Sequence, residues 1–276
     1  MLLIAESGST KTDWVLLGNE GEIKRRQTLG INPYHQNTSS IIKIISSLND
    51  FDSVHQIFFY GAGCATDDKK QIIKDSLLQI FPEATCEVNS DVLAAARSVC
   101  GREKGIACIM GTGSNSCLYN GENIEHNVSP LGYILGDEGS GAVMGKKLIA
   151  DILKDLAPAE IKSAFYQKYN LEYADIINKI YKEEAPSRFL AQFTVFLSEN
   201  IQSPYILQLV KKSFYEFFER NVKQYNNHTN LPIHFIGSIA FYFKNELKIV
   251  ADEMGLRIGK IKQSPLEGLI QYHLSK

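Results

Sequence analysis

Apolar and polar positions open the chain as strand, turn and strand. Residues 1–5 and 14–17 are apolar runs, and the polar residues 6–13 between them read as a hairpin turn. Residues 22–29 predict a third strand, giving an antiparallel three-stranded start. Residues 38–48 then place Ile41, Ile42, Ile44, Ile45 and Leu48 at helical spacing. A buried strand at 55–60 ends on Gly61 and Gly63, and a helix spans 67–80 with Asp67 and Asp68 suiting its N-terminal dipole. A short strand at 84–88 leads into a helix from Asp91 to about Val99, which Asn89 or Ser90 can cap.

The opening arrangement then returns: an apolar run at 106–110, the turn Gly111-Thr112-Gly113-Ser114-Asn115, and a second run at 116–119. A helix is expected at 142–156, and further helices near 159–168, 173–182, 187–200 and 203–225. A buried strand at 231–236 stops at Gly237-Ser238, where another helix begins, and residues 265–274 read as a closing helix. The pattern is α/β. It divides into a domain over 1–115 and a domain with a helical insertion over 116–276, and the last helix is free to pack back on the first domain.

Composition narrows the class. The 276 residues can bury two cores, and 44% hydrophobic with 22% charged residues is ordinary for a globular enzyme. A net charge of -2 gives no general pull toward nucleic acid. No apolar run approaches the roughly 20 residues of a membrane span, and no charged, apolar leader opens the chain, so a cytoplasmic protein without membrane partners is expected. Five scattered cysteines lack C-x-x-C spacing, and six histidines offer no close pair, so no metal site follows from either.

Candidate chemistry sits in the turns. Glycine lets a backbone approach a ligand closely, while free amides and hydroxyls satisfy phosphate oxygens. Residues 6–13 have that composition, yet a solvated hairpin turn wants the same residues, and alone the turn favours that plainer reading. Its counterpart at 111–115 shifts the balance. A P-loop is excluded, because Thr10 precedes Lys11 where the motif needs glycine, and a strand follows instead of a helix. Asp91 in a helix's first turn would stabilise that helix without any further role.

In order along the chain stand Ser7-Gly8-Ser9-Thr10-Lys11-Thr12, Asn32, Asn89-Ser90-Asp91, Gly111-Thr112-Gly113-Ser114-Asn115, Gly136-Asp137-Glu138-Gly139-Ser140 and Gly237-Ser238. Together they resemble the sugar kinase, heat-shock protein 70 and actin superfamily, and within it the N-acetylglucosamine kinase branch that also holds the BadF/BadG-type ATPases. The resemblance covers nearly the whole chain. It implies two ribonuclease-H-like (actin-like ATPase) domains flanking a nucleotide and substrate cleft that closes over the sugar.

The resemblance also implies ATP with magnesium (Mg2+) and phosphorylation of an amino sugar, most directly N-acetylglucosamine at its 6-hydroxyl. Gly8, Ser9, Thr10 and Lys11 would contact phosphates from one side, and Gly111, Thr112, Gly113 and Ser114 from the other. Gly237 and Ser238 would lie at the adenosine, Asn32, Gly63, Asn115, Asp137 and Glu138 at the sugar, and Asp91 would be the catalytic base. Glu6 would orient a metal-bound water. The chain departs from many relatives in carrying Leu131 where they carry tryptophan, and Pro33-Tyr34 after Asn32. N-acetylmuramic acid or glucosamine therefore stay open as substrates. An ATPase activator and a non-catalytic nucleotide binder are the alternatives; the former would need a cysteine pair that the scattered cysteines do not offer. Homodimers are common among such kinases.

Overall fold

A computed structural model describes residues 1–8, 11–18 and 21–275. The chain forms two compact units, divided between Arg102 and Glu103, with the closing segment from Pro265 belonging to the first.

The first unit begins with β1 (Leu2–Ser7), β2 (Lys11–Leu17) and β3 (Ile23–Leu29). It continues through α1 (Thr38–Ile45), β4 (Gln56–Gly61), α2 (Asp67–Ile80), β5 (Thr85–Ser90) and α3 (Asp91–Cys100). The sheet order is β3-β2-β1-β4-β5: β1, β2 and β3 pair antiparallel, while β4 and β5 run parallel to β1. Period-two alternation sends Leu3, Ala5, Trp14, Leu16, Ile57 and Phe59 to a core shared with Ile41 of α1 and Ile73 and Leu77 of α2.

The intervening residues Ile4, Val15, Leu17 and Tyr60 face the opposite way, onto Ala94 of α3. Side chains cap the helices as their sequences suggest. Asn37 Oδ1 accepts from the Ser40 N–H at 2.9 Å, and Ser90 Oγ from Leu93 N–H at 3.4 Å.

The second unit contains β6 (Gly105–Met110), β7 (Ser114–Tyr119) and β8 (Ile124–His126), then α4 (Gly132–Leu135) and α5 (Gly141–Leu153). Helices α6 (Ala159–Tyr169), α7 (Tyr173–Tyr181), α8 (Pro186–Ala191), α9 (Thr194–Glu199) and α10 (Pro204–Arg220) follow. The unit ends with β9 (Ile233–Ile236), α11 (Ser238–Tyr242), α12 (Lys244–Glu253) and β10 (Ile258–Lys262). Its sheet order is β8-β7-β6-β9-β10, with β7 and β8 antiparallel and β9 and β10 parallel, so the first unit's topology is repeated strand for strand. Ile106, Cys108 and Met110 of β6 share a core with Leu148 and Ile152 of α5 and with Phe214, Phe217 and Phe218 of α10.

The last helix, α13 (Leu266–Leu274), returns to the first unit and places Leu266, Leu269 and Ile270 beside Ile4 and Val15. Tyr60 Oη lies 2.9 Å from His273 Nε2, Arg97 Nη1 donates to Tyr60 Oη at 2.7 Å, and Phe58 stacks on the His273 ring at 3.9 Å. Gly268 passes so close to Ser98 that a β-carbon there would overlap the Ser98 backbone.

Three expectations need correction. The polar turn at 6–13 is mostly strand, because Glu6 pairs with Asp13 and Ser7 with Thr12 in the β1–β2 ladder. Buried Ser7 and Thr12 can sit there because their hydroxyls are satisfied, 2.7 Å from each other and bonded to the Ile31 and Leu29 carbonyls. The boundary expected at 115/116 falls inside the β6–β7 hairpin, whose strands pair along their length. Finally, the helix expected over 187–200 is two helices, α8 and α9.

Candidate functional site

In the first unit, the end of β1 gathers carboxylates. Glu6 stands opposite Asp13, whose Oδ2 is 3.0 Å from Lys11 Nζ and whose Oδ1 accepts from Gln27 Nε2 at 2.7 Å. Burial, and next the Asp13 and Asp91 charges, push the Glu6 carboxyl up to about 7 against a partial offset from Lys11. Asp91 heads α3, and its Oδ1 accepts the Val92 N–H at 2.8 Å. Burial raises the Asp91 carboxyl above the ordinary aspartate value despite that hydrogen bond. Burial, and next the Asp91 charge, push the Cys64 thiol up, so the residues after β4 lie within the field of Asp91.

Asn32 and Gly63 are brought together. Gly63 has φ +81°, and a β-carbon there would stand 2.5 Å from Asn32 Oδ1 and 3.0 Å from the Tyr34 ring. The loop after β3 is tied to the hairpin base by Ser7, whose Oγ accepts the Ile31 N–H at 2.9 Å. Asn32 Oδ1 is engaged by the Tyr34 N–H at 3.0 Å, which fixes its amide oxygen inward. Of the residues at the hairpin tip, Gly8 donates its N–H to the Lys11 carbonyl at 3.0 Å. Ser9 and Thr10 lie outside the described residues.

The second unit brings three turns to one place. The Gly111 N–H closes the β6–β7 turn on the Gly113 carbonyl at 2.9 Å, and the carbonyls of Gly111 and Thr112 accept the Gly141 and Ala142 N–H groups that open α5. Gly113 lies so close to Asp137 that a β-carbon would stand 2.8 Å from its carboxylate and would push it aside. Asp137 adopts the left-handed φ of 54° and accepts the Ser114 N–H; burial raises its carboxyl, with Glu138 adding and Lys146 opposing. Ser114 Oγ donates to the Glu138 carbonyl at 2.8 Å.

Gly237, at φ +119°, lets the turn after β9 press against the Met110 carbonyl, where any β-carbon would collide. Beside it Ser238, Ile239 and Tyr242 of α11 and Thr194 and Val195 of α9 line a cavity of about 360 Å³. A larger groove of about 690 Å³ follows the outer face of α10 and contains none of the candidate residues, so its size says nothing about this chemistry.

Glu138 is committed elsewhere. Its carboxylate pairs with Arg220 Nε at 2.5 Å and accepts from Asn221 Nδ2 at 3.3 Å, which ties the 136–140 turn to the end of α10. The sequence pattern did not single out Asp13 or Asn127. Asp13 could be found by counting, since it and Glu6 are equidistant from the hairpin midpoint. Asn127 carries no such signal; it follows β8 and donates to Asn115 Oδ1 near the start of β7 at 2.9 Å. Among the described residues no cluster of three His, Cys, Asp or Glu is arranged for a metal, and no helix is long and apolar enough to cross a membrane.

The chain is similar to known proteins over its whole length or part of it. A candidate N-acetylglucosamine kinase from Porphyromonas gingivalis shares 47% identity over 99% of this chain and 98% of its own, with a TM-score of 0.92. The glucosamine kinase GspK of Vibrio cholerae is 33% identical over 39% of this chain and 35% of its own length. The N-acetyl-D-glucosamine kinase of Dictyostelium discoideum is 24% identical over 54% of this chain and 53% of its own. The matched segments thus span about a third to a half of these two curated relatives. The model of the BadF/BadG/BcrA/BcrD ATPase family matches residues 6–270, and the chain belongs to that family.

Proposed function

We propose that the protein phosphorylates an amino sugar with ATP, and that the sugar is N-acetylglucosamine, phosphorylated at its 6-hydroxyl. The observation that carries this reading is the meeting of residues 111–115, Asp137 and Gly237 in the second unit, where glycines keep side chains out of the space beside a half-buried carboxylate. The similarity to sugar kinases supports the choice of acceptor.

Thr112 and the backbone of Gly113 would contact ATP phosphates, as would Gly8, Ser9, Thr10 and Lys11, while Gly111 and Ser114 hold the second turn in shape. Gly237 and Ser238, with the adjoining cavity, would take the adenosine. Asn32, Gly63, Asn115 and Asp137 would bind the sugar. Glu138, held by Arg220 and Asn221, would brace Asp137 instead of contacting sugar.

Asp91 would be the general base. Burial raises its proton affinity, and a base whose pKa moves toward the working pH takes a hydroxyl proton more effectively as the phosphoryl group leaves ATP. Glu6 sits in the field of Asp13 and Asp91 with only Lys11 to offset them, a negative charge that a hard divalent cation would neutralise without three of these carboxylates ligating it directly. Magnesium bound there would neutralise charge on the phosphate oxygens. Glu6 and Asp13 would hold or orient its ligands.

A coupled assay for ADP release across N-acetylglucosamine, glucosamine, N-acetylmuramic acid and glucose tests the proposal. Release that depends on N-acetylglucosamine is expected. Sugar-independent release would mark an ATPase, and no release would mark a binding protein.

A further inference from the structure

The amide of Asn115 has only one orientation open to it. Its Oδ1 accepts the Ser116 N–H at 2.8 Å and Asn127 Nδ2 at 2.9 Å. A backbone N–H can only donate, so that edge of Asn115 must be the oxygen. Asn127 is fixed by the same reasoning. Its Nδ2 faces Asn115 Oδ1, the Ser116 carbonyl at 2.5 Å and the Val128 carbonyl at 3.2 Å, acceptors toward which only an NH₂ edge can turn, its two hydrogens shared among the three.

Asn127 is exposed, yet its neighbours are anchored. The Val128 N–H donates to Tyr225 Oη at 3.1 Å, the His126 ring meets the Tyr225 ring edge-on at 5.6 Å, and buried Tyr225 lies 2.7 Å from Ser116 Oγ. The chain on both sides of Asn127 is therefore held to a core tyrosine, and that tyrosine also holds the residue after Asn115.

We propose that Asn127 is a positioning residue that holds Asn115 with its NH₂ edge outward, so that Asn115 can only donate to the substrate. This rests on the sugar kinase reading, in which Asn115 meets the sugar. The chemistry selects a substrate oxygen that accepts at Asn115, and leaves Asp137 as the partner for a substrate O–H or N–H.

Steady-state kinetics of Asn115→Ala, Asn127→Ala, Asn127→Asp and the Asn115→Ala/Asn127→Ala double variant test the inference, with N-acetylglucosamine and ATP varied separately. Loss of one such hydrogen-bonded support should raise the sugar KM roughly 3- to 10-fold while leaving the ATP KM unchanged. Asn127→Asp should do more harm than Asn127→Ala, because it sets a carboxylate against three carbonyl oxygens. The double variant should be no worse than Asn115→Ala alone. Additive losses in the double variant, or equal changes in both KM values, would overturn the inference.

A measurement without turnover separates the two ideas. Side-chain amide ¹⁵N–¹H spectra should show the Asn115 NH₂ resonances moving in Asn127→Ala. If no sugar is phosphorylated by the wild-type chain, the kinase reading falls while this readout still decides; unmoved Asn115 resonances would overturn the positioning role.

Discussion

Replacing Glu6 by Gln removes a carboxyl that the fold keeps protonated up to about pH 7, where an ordinary glutamate ionises near 4.5. The folded state therefore holds a proton that the unfolded chain has released. Stability tied to that proton is complete below about pH 4.5 and is lost as pH rises through 7. At about 1.4 kcal/mol per tenfold change in proton affinity, the rise corresponds to about 3 kcal/mol. Glu6 is partly open to solvent, and screening reduces this to roughly 1–2 kcal/mol.

The only tryptophan, Trp14, is buried and pairs with Ala5, the residue before Glu6, so its fluorescence reports unfolding of the first unit. Urea unfolding followed at Trp14, without nucleotide or divalent ions, should show Glu6→Gln more stable than wild type by that amount at pH 8. The gap should nearly close at pH 5. Equal stability at pH 8, or a gain of the same size at both pH values, would refute the account of a desolvated carboxyl among like charges.

Asp91→Asn should cut sugar-dependent ADP release by about 10²- to 10⁴-fold. Its melting should stay close to wild type, since an asparagine oxygen can still accept the Val92 N–H; near-normal turnover would remove Asp91 from the base role. Gly237→Ala should destabilise by about 2 kcal/mol or more in thermal melts, because a positive φ and a collision with the Met110 carbonyl combine there. Burial lowers His273 to about 4, so its contribution is present above pH 6.5 and is lost as pH falls toward 4. His273→Gln should flatten the acid side of the Trp14-monitored stability profile, and an unchanged slope would count against this. Arg97→Ala should cost about 1–2 kcal/mol, mainly because the buried Tyr60 hydroxyl loses its Arg97 donor; half-exposed Glu87 contributes little, since Asn89 still donates to it.

The architecture was legible wherever periodicity and packing agreed. The continuous apolar runs at 1–5 and 14–17 mark two strands because both faces of that sheet are buried, and the spacing of Phe214, Phe217 and Phe218 marks α10 because that side meets the core. Legibility failed where polar side chains are satisfied internally. Ser7 and Thr12 read as turn residues, yet their hydroxyls bond backbone groups within the sheet. Strands β8 and β10 are short edge strands with little buried surface, so they leave no pattern. At the candidate site, glycine-rich turns were visible as composition. The reason for each glycine was not, because Gly113 answers to Asp137, 24 residues later, and Gly237 to Met110, over a hundred residues earlier. Glu138 shows the converse: a carboxylate in the right motif whose partners on α10 no local spacing announces.

The return of α13 to the first unit sets an order of assembly. The second unit is continuous from Glu103 to Ser264 and has all its strands once that stretch has left the ribosome. The first unit is made earlier, but until residue 274 emerges one side of its sheet, including Ile4, Val15 and Leu17, lacks the cover of Leu266, Leu269 and Ile270. The unit whose synthesis begins earlier of the two is thus the later to be finished. A ribosome stalled before residue 265 would display an apolar sheet face covered only by α3, a natural target for chaperones, while the second unit has already folded.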